Sequence, residues 1–274
     1  MSTSKNRLSL ILQNGLLAIW SIFALFPLIW MMILTFKSDA EMYTTTFVFT
    51  PTLDNYKAVL FESDYLAYMR DSLIISAGAV IISVIAGVPA AYALARYNFK
   101  KKEDIAFQIL SFKFAPEILV VLPLFMIYQK LGIYDTYFGL IWVYQLISMP
   151  LLIWVVRGYF EDISVEIEYA AQVDGYNWYQ IFFKNLIPLI KPGMVSAALL
   201  AFIFAWNSFT FPLMLAGTKI QPITVAITKY LGTDSAHYGQ LAVAAAVSAL
   251  PAIIFALCIQ KHLVRGLSFG AVKG

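Results

Sequence analysis

The sequence predicts an all-α, polytopic membrane protein with six transmembrane helices, and two observations support this prediction. Of the 274 residues, 61% are hydrophobic and 13% are charged, against about 25% charged residues in a soluble domain, and the mean hydropathy is +0.75. The chain also contains charge-free stretches long enough for a helix that crosses the ~30 Å hydrocarbon core. Membrane β-strands are excluded, because they need only ~10 residues of alternating polarity.

Five spans lie in charge-free stretches, which are bounded by Arg7 and Lys37, Asp71 and Arg96, Asp135 and Arg157, Lys191 and Lys219, and Asp234 and Lys261. A sixth span contains Lys113 and Glu117, and we include it because the loop would otherwise be long and very hydrophobic. Residues 1–274 are expected to form one transmembrane domain, with spans at approximately 10–35, 72–95, 105–129, 137–156, 193–216 and 238–260.

The distribution of basic residues predicts the orientation. The first apolar run is about twice the usual ~7–15 residues of a signal peptide, so we interpret it as an uncleaved helix. With both termini in the cytoplasm, twelve of the nineteen Lys and Arg residues lie inside and six lie outside, as the positive-inside rule requires. The outer segment after the first span is expected to form a cap with an interfacial helix near Asp54–Leu60.

Several classes of function are excluded by residues that the sequence lacks. The single Cys258 allows neither a disulfide within the chain nor a cysteine-based zinc site, and His237 and His262 lie far apart, so we expect no metal site. The sequence has no Walker A motif and no dinucleotide fingerprint. We therefore expect no cofactor on this chain, and any ATP must bind another polypeptide. The net charge of +3 gives no argument for nucleic-acid binding.

Residues 158–192 join the fourth and fifth spans on the cytoplasmic side and have the pattern of a helical hairpin. Ser164 is a plausible N-cap, acidic residues follow it in the first turn, and Gly175 is a C′ glycine that can take positive φ. These signals predict a helix over Val165–Asp174. Asn177 and Gln180 have the spacing of a capping box, and Pro188 predicts that the second helix ends near Ile187.

Two interpretations of this hairpin follow from its residues alone. Ala170 and Ala171 allow another surface to approach closely, which suggests a docking element for a partner protein. The alternative is an amphipathic hairpin that lies on the membrane or under its own helical bundle.

The segment Glu168-Tyr-Ala-Ala-Gln-Val-Asp-Gly, with Phe182, Pro188, Pro192 and Gly193 downstream, resembles the EAA loop of ABC importer permeases. The positions that match in register are Ala170, Ala171, Asp174, Gly175, Phe182 and Pro188. Three positions depart from the pattern. Tyr169 occupies the place of the motif's Glu, with Glu168 one residue earlier, while Asn185 and Ile187 replace Ile and Leu.

Other segments resemble the shorter permease of the maltose-type carbohydrate branch, namely Phe202–Leu213, Pro51–Tyr56 and the tail Arg265–Gly274. The resemblance implies a type I ABC importer permease fold in the cell membrane and no covalent chemistry on this chain. It also implies a second permease subunit in a pseudo-twofold heterodimer, two subunits that bind ATP and Mg, and an extracytoplasmic substrate-binding protein. The residues implied in coupling to the ATPase are Glu166, Glu168, Tyr169, Ala170, Ala171, Asp174, Gly175, Phe182 and Pro188.

Four polar or aromatic residues inside the spans are candidates for the translocation pathway. Lys113 and Glu117 are four residues apart and are expected on one helical face, where they could bind sugar hydroxyls or form a structural pair. Trp206 and Asn207 could stack on and hydrogen-bond to a sugar, or could serve helix packing.

Two outer parts of the chain carry further expectations. The segment Gly217–His237 is polar at its ends and is expected to contact the binding protein, and the tail Lys261–Gly274 is expected to insert between the ATP-binding subunits. The rival functions are an ion-gradient-driven secondary transporter and an intramembrane enzyme. We find neither a convincing internal repeat for the first nor a catalytic set for the second.

Overall fold

The computed structural model describes the backbone of residues 2–232 and 237–269, and the side chains of residues 9–10, 12–232 and 237–258. These residues are largely helical and the described part of the chain contains no strand, so the prediction of an all-α protein is confirmed. Four of the described helices are long and apolar enough to cross a membrane, and the number becomes six if each of two bent pairs forms one span.

The α-helices, numbered in chain order, are α1 (Ser2–Leu34), α2 (Asp54–Leu60), α3 (Tyr65–Arg96), α4 (Lys102–Ser111), α5 (Glu117–Leu131), α6 (Tyr137–Val143), α7 (Gln145–Asp162), α8 (Glu166–Val173), α9 (Trp178–Gln180), α10 (Ile187–Trp206), α11 (Thr210–Leu215), α12 (Ile223–Ala226) and α13 (Tyr238–Phe269). Short 3₁₀ turns cover Phe112–Phe114 and Ile227–Leu231, and a π-helical segment covers Ile181–Leu186. The short helix predicted near Asp54–Leu60 is confirmed as α2.

The chain divides into two compact units, the first within residues 1–66 and 227–248. In this unit the Asn55 side-chain amide donates to the carbonyls of Thr35 and Lys37, at 3.2 and 2.8 Å, and so fixes α2 to the chain that leaves α1. The Lys37 side chain is fully buried, and its Nζ donates to the Thr44 carbonyl at 2.7 Å. These bonds order the segment between α1 and α3.

The second unit, within residues 67–226 and 249–274, contains the helices that carry the candidate sites. One hydrophobic core in this unit forms where α3, α7, α8 and α10 meet, around the fully buried Leu152, Phe160 and Leu186. Helix α7 packs closely on α10, because the Tyr159 ring lies directly against the backbone of Gly193. A second core forms around Ile75, among α3, α5, α6 and α11.

The third predicted span is bent, and the expectation that Lys113 and Glu117 share one helical face is wrong. The helical segments Lys102–Phe114 and Glu117–Leu131 meet at an angle of 91°. The backbone is extended at Ala115 and Pro116, with ψ of 130° and 114°. Proline disfavours helical geometry at the residue before it, which is the physical reason for the break at Ala115.

The helix predicted to end near Ile187 continues instead, so that prediction is wrong. Trp178–Trp206 forms one helix of 29 residues that passes through Pro188 and Pro192. The π-helical turn directly before Pro188 is wider than an α-helical turn, so it accommodates a residue that has no amide hydrogen and whose ring would clash with the carbonyl four residues earlier. The helix therefore continues directly from the predicted cytoplasmic hairpin into the fifth span.

Candidate functional site

Helix α8 forms where its sequence predicts, with bounds one residue shorter at each end, but the prediction of Ser164 as its N-cap is wrong. The Ser164 hydroxyl accepts a hydrogen bond from the Glu166 amide at 3.3 Å, although the N-cap position itself is Val165. At the other end Gly175 has φ of +82°, as predicted. Its amide donates to Gln172, and the Tyr176 amide donates to Ala171, both at 3.0 Å, which together form a Schellman motif.

The start of the next helix is fixed by the predicted capping box. The Asn177 side chain accepts from the Gln180 amide at 3.0 Å, and the Gln180 side chain accepts from the Asn177 amide at 2.9 Å. Only two residues, Gly175 and Tyr176, separate this box from the end of α8 and its cap. The turn between the two helices is therefore held at both ends by hydrogen bonds.

Glu168 points into the protein and fixes α8 to the C-terminal end of α3. Its carboxylate forms an ion pair with Arg96 and accepts a hydrogen bond from the Tyr92 hydroxyl at 2.8 Å. Both charged side chains are about nine-tenths buried. Arg96 also donates to the Ile163 carbonyl at 2.8 Å, so one guanidinium joins α3 both to α8 and to the short α7–α8 connection.

An aromatic cluster supports this ion pair. The Tyr92 ring lies 5.3 Å from both Phe160 and Phe182, between centroids, and Trp178 stacks on Phe182 at 5.3 Å with an interplanar angle of 13°. Sequence reasoning did not identify Tyr92 or Arg96, since each is more than 70 residues away from Glu168. No local signal in the sequence indicates that pairing.

The remaining coupling candidates divide between an inner and an outer face. Ala171 and Phe182 are buried in the core together with Glu168. The outward residues are Glu166, Tyr169, Ala170, Asp174, Gly175 and Pro188, and among them the Tyr169 side chain is 61% exposed. Val173, which the sequence analysis did not single out, is 88% exposed on the same short helix. The outer face of α8 therefore presents an aromatic and an apolar side chain.

A second site is a cavity of about 730 Å³ beside the bend between α4 and α5. Three of the four pathway candidates line it, namely Lys113, Glu117 and Asn207. The fourth, Trp206, lies outside the lining, because its side chain is buried and stacks on Phe202 with the ring centroids 5.7 Å apart. The other lining residues are Phe112, Ala115, Val120, Leu124, Leu146, Ile147, Phe204, Ser208, Phe209, Thr210 and Phe211.

The polar groups of this cavity are held by helix ends. The Lys113 ammonium lies 3.6 Å from the centroid of Phe204, in the last turn of α10. Asn207 follows the end of α10, and its side-chain amide donates to the Ile203 carbonyl at 2.8 Å. Sequence reasoning missed Phe204 and Thr210, since an aromatic residue or a threonine within an apolar run commonly serves only helix packing.

Two carboxylates hold the segment that follows α11. Asp135 accepts hydrogen bonds from the amides of Gly217, Lys219 and Ile220, at 2.8, 3.0 and 3.1 Å. Asp71, which is buried, accepts from the Gln221 amide at 3.2 Å and from a tyrosine hydroxyl. The first residues of the predicted contact segment 217–237 are therefore fixed in place, while residues 233–236 lie outside the described part of the chain.

The long apolar helices define a multi-pass membrane protein, and comparison with known proteins assigns its family. Residues 83–269 match the family described as binding-protein-dependent transport system inner membrane component. The chain belongs to this family, and it is an inner membrane permease of the ABC importer class.

Relatives match over almost the whole chain. The trehalose transport system permease SugB of Mycobacterium tuberculosis is 36% identical over 92% of this chain and 93% of its own length. The trehalose/maltose permease MalG of Thermococcus litoralis is 33% identical over 93% of both chains. In a crystal structure of a bacterial ABC transporter that imports the acidic polysaccharide alginate, one chain matches with a TM-score of 0.79 and 26% identity, over 95% of this chain and 98% of that chain.

Proposed function

We propose that this chain is one of two permease subunits of an ATP-driven carbohydrate importer. The names of the relatives support a carbohydrate substrate, since they include trehalose, maltose and alginate. They do not agree on its charge, because alginate is acidic. One similar structure is a complex with a substrate-bound periplasmic protein, which supports an external binding protein as a partner.

In this proposal the remaining subunits supply what this chain lacks. Two separate subunits bind and hydrolyse ATP with Mg, and a second permease completes a pseudo-twofold heterodimer. The distribution of Lys and Arg supports cytoplasmic termini and a cytoplasmic position for α8. The ATP-binding subunits then dock on α8 from the cytoplasm.

The observation that carries the proposal is the two-sided structure of α8. Its outer face presents Tyr169 and Val173 to a partner, while its inner face is joined to α3 through Glu168 and Arg96. A partner that moves the outer face therefore pulls on a buried ion pair at the end of a 32-residue helix. This connection transmits the closure of the ATP-binding subunits to the membrane helices.

The cavity beside the α4–α5 bend is the candidate pathway within this subunit. Lys113, Glu117 and Asn207 are among its polar groups, whereas Trp206 is buried and does not line it. In this proposal, movement of α3 and its neighbours switches the cavity between the cytoplasmic and the outer side of the membrane. The fixed segment after Gly217 contacts the binding protein on the outer side, and the tail from Lys261 inserts between the ATP-binding subunits.

A substitution on the outer face of α8 tests the proposal. Val173→Asp places a charge in the docking surface, and we expect the complex to lose its ATP-binding subunits, with binding at least about tenfold weaker because an unpaired charge must be desolvated. The measurement is the amount of ATP-binding subunit that co-purifies with the permease pair.

Val48→Asp is a matched control, since Val48 is 90% exposed but lies in the segment between α1 and α2. Normal assembly is expected for this variant. If Val173→Asp also assembles normally and couples ATP hydrolysis to uptake at the full rate, α8 is not the docking element.

A further inference from the structure

Lys113 and Glu117 place two opposite charges on the wall of one cavity without pairing to each other. Among the described residues, the ion pairs within 4 Å do not include either side chain, and the side-chain hydrogen bonds do not include them either. Ionisable groups within membrane spans are costly, so they mark the paths of ligands and ions. Two unpaired charges in one cavity therefore indicate groups that a ligand contacts.

A different helix end stabilises each of the two charges. Lys113 lies over Phe204 in the last turn of α10, where both the aromatic ring and the negative end of the helix dipole favour a cation. Glu117 is in the first turn of α5, where the positive end of the dipole favours a carboxylate. Because no ion pair within 4 Å and no side-chain hydrogen bond among the described residues occupies either group, both remain available to a ligand.

The rest of the lining matches a ligand that has both hydroxyl groups and apolar faces. The Asn207 side-chain nitrogen is engaged with Ile203, which leaves the amide oxygen as an acceptor, and Thr210 adds a hydroxyl. Aromatic rings, including Phe204 and Phe209, supply surfaces for the C–H faces of a sugar. The volume of about 730 Å³ lies within the ~300–1,000 Å³ range of ligand pockets.

The pair of charges discriminates between neutral and acidic sugars. A hydroxyl group both donates and accepts, so a neutral sugar can donate to Glu117 and accept from Lys113 at the same time. A sugar acid gains an ion pair with Lys113 but brings a second negative charge to the cavity that holds Glu117, and like charges in one desolvated site repel. We infer that this cavity selects neutral carbohydrates over sugar acids, with Lys113 and Glu117 as the specificity-determining residues.

The inference rests on the proposed function, and its test uses the assembled complex. The two permeases and the ATP-binding subunits are placed in lipid nanodiscs without the binding protein, so that its own selectivity does not enter. The probes are radiolabelled neutral di- and trisaccharides, each compared with the same sugar oxidised to a carboxylate at C6. For the wild-type complex we expect the neutral form of a bound sugar to bind at least about tenfold tighter, the size of effect that one charged contact produces.

Two variants should move this preference in predictable directions. Glu117→Gln removes the negative charge while it keeps the shape, so the preference for the neutral form should fall about tenfold. Lys113→Gln should weaken binding of the neutral form about tenfold without any gain for the carboxylate. Lys130→Gln is the matched control, because Lys130 is exposed at the end of α5 and does not line the cavity.

Each outcome decides one of the two claims. Equal or tighter binding of the carboxylate by the wild-type complex overturns the inference, as does an unchanged preference in an assembled Glu117→Gln complex. A complex that imports sugar with its binding protein but binds no probe also overturns the claim that this cavity binds sugar. A complete complex that imports no carbohydrate at all refutes the proposed function instead. If Glu117→Gln does not assemble, the preference of the wild-type complex for the neutral sugar over its carboxylate form decides whether the inference holds.

Discussion

Replacing Glu168 by alanine should release α8 from α3 while leaving the helix itself intact. The substitution removes the partner of a buried guanidinium and the acceptor of the Tyr92 hydroxyl. Arg96 keeps its hydrogen bond to the Ile163 carbonyl, so the cation stays at the end of α3 without a counter-charge. The local contact between the two helices is the part of the structure that this variant destabilises.

The size of the effect follows from the burial of the pair. Glu168 and Arg96 are 9% and 10% exposed, and removing one partner of a buried pair costs about 3–5 kcal/mol. The retained bond to Ile163 favours the lower end of that range. A cost of about 3 kcal/mol corresponds to a roughly 100-fold increase in local opening, since each ~1.4 kcal/mol is a factor of ten.

Amide hydrogen exchange over α8 in the assembled complex measures this opening. Glu161→Gln is the matched control, because Glu161 pairs with Arg157 but is 45% exposed, and such surface pairs contribute only about 0–1 kcal/mol. The double variant with methionine at both Glu168 and Arg96 should recover most of the protection, since it leaves no unpaired charge. Exchange in Glu168→Ala that stays within about threefold of the wild type would show that the ion pair does not hold α8 to α3.

Three further predictions concern the turn, the outer segment and the tail. Gly175→Val should uncouple ATP hydrolysis from uptake, since φ of +82° is strongly disfavoured for a β-branched residue. The control Gly158→Val, which lies in open space on a helix, should leave coupling unchanged. Normal stimulated ATPase activity and uptake in Gly175→Val would contradict this role. Asp135→Ala removes the acceptor of three amide hydrogen bonds, so amide hydrogen exchange over residues 217–220 should rise at least about tenfold, and uptake should fall while assembly is normal. Unchanged exchange would show that other contacts hold the segment. Deleting residues 268–274 should lower the coupling of ATP hydrolysis to uptake without preventing membrane insertion, and full coupling in the truncated complex would refute the insertion of the tail.

The predictions that succeeded depend on signals within a few residues. The positive φ at Gly175 and the capping box of Asn177 and Gln180 are local backbone requirements, so the sequence is sufficient to identify them. The turn of the candidate docking element could therefore be described before its structure was known. For Ala171 the expectation of a face open to another surface is wrong, because adjacent residues of a helix face different directions: Ala170 is exposed, but Ala171 is buried in the core of this chain.

The features that could not be predicted depend on distant partners or on compensation elsewhere. The pairing of Glu168 with Arg96 joins residues 72 positions apart, and no periodicity encodes it. Proline gave opposite results at two places, because the helix breaks before Pro116 but continues through Pro188 behind a π-helical turn. Proline disfavours a continuous helix in both cases, and the conformation of the neighbouring backbone decides whether the helix can accommodate the proline.

Uptake of a radiolabelled sugar into proteoliposomes tests whether this chain belongs to an ATP-driven carbohydrate importer. The vesicles contain this chain with its partner permease and the ATP-binding subunits, and the loaded binding protein is added outside. We expect uptake that requires ATP inside the vesicles, persists when ionophores dissipate all ion gradients, and is lost with Val173→Asp. Uptake that continues without ATP but stops when the ion gradients are removed would contradict it and would identify a secondary transporter.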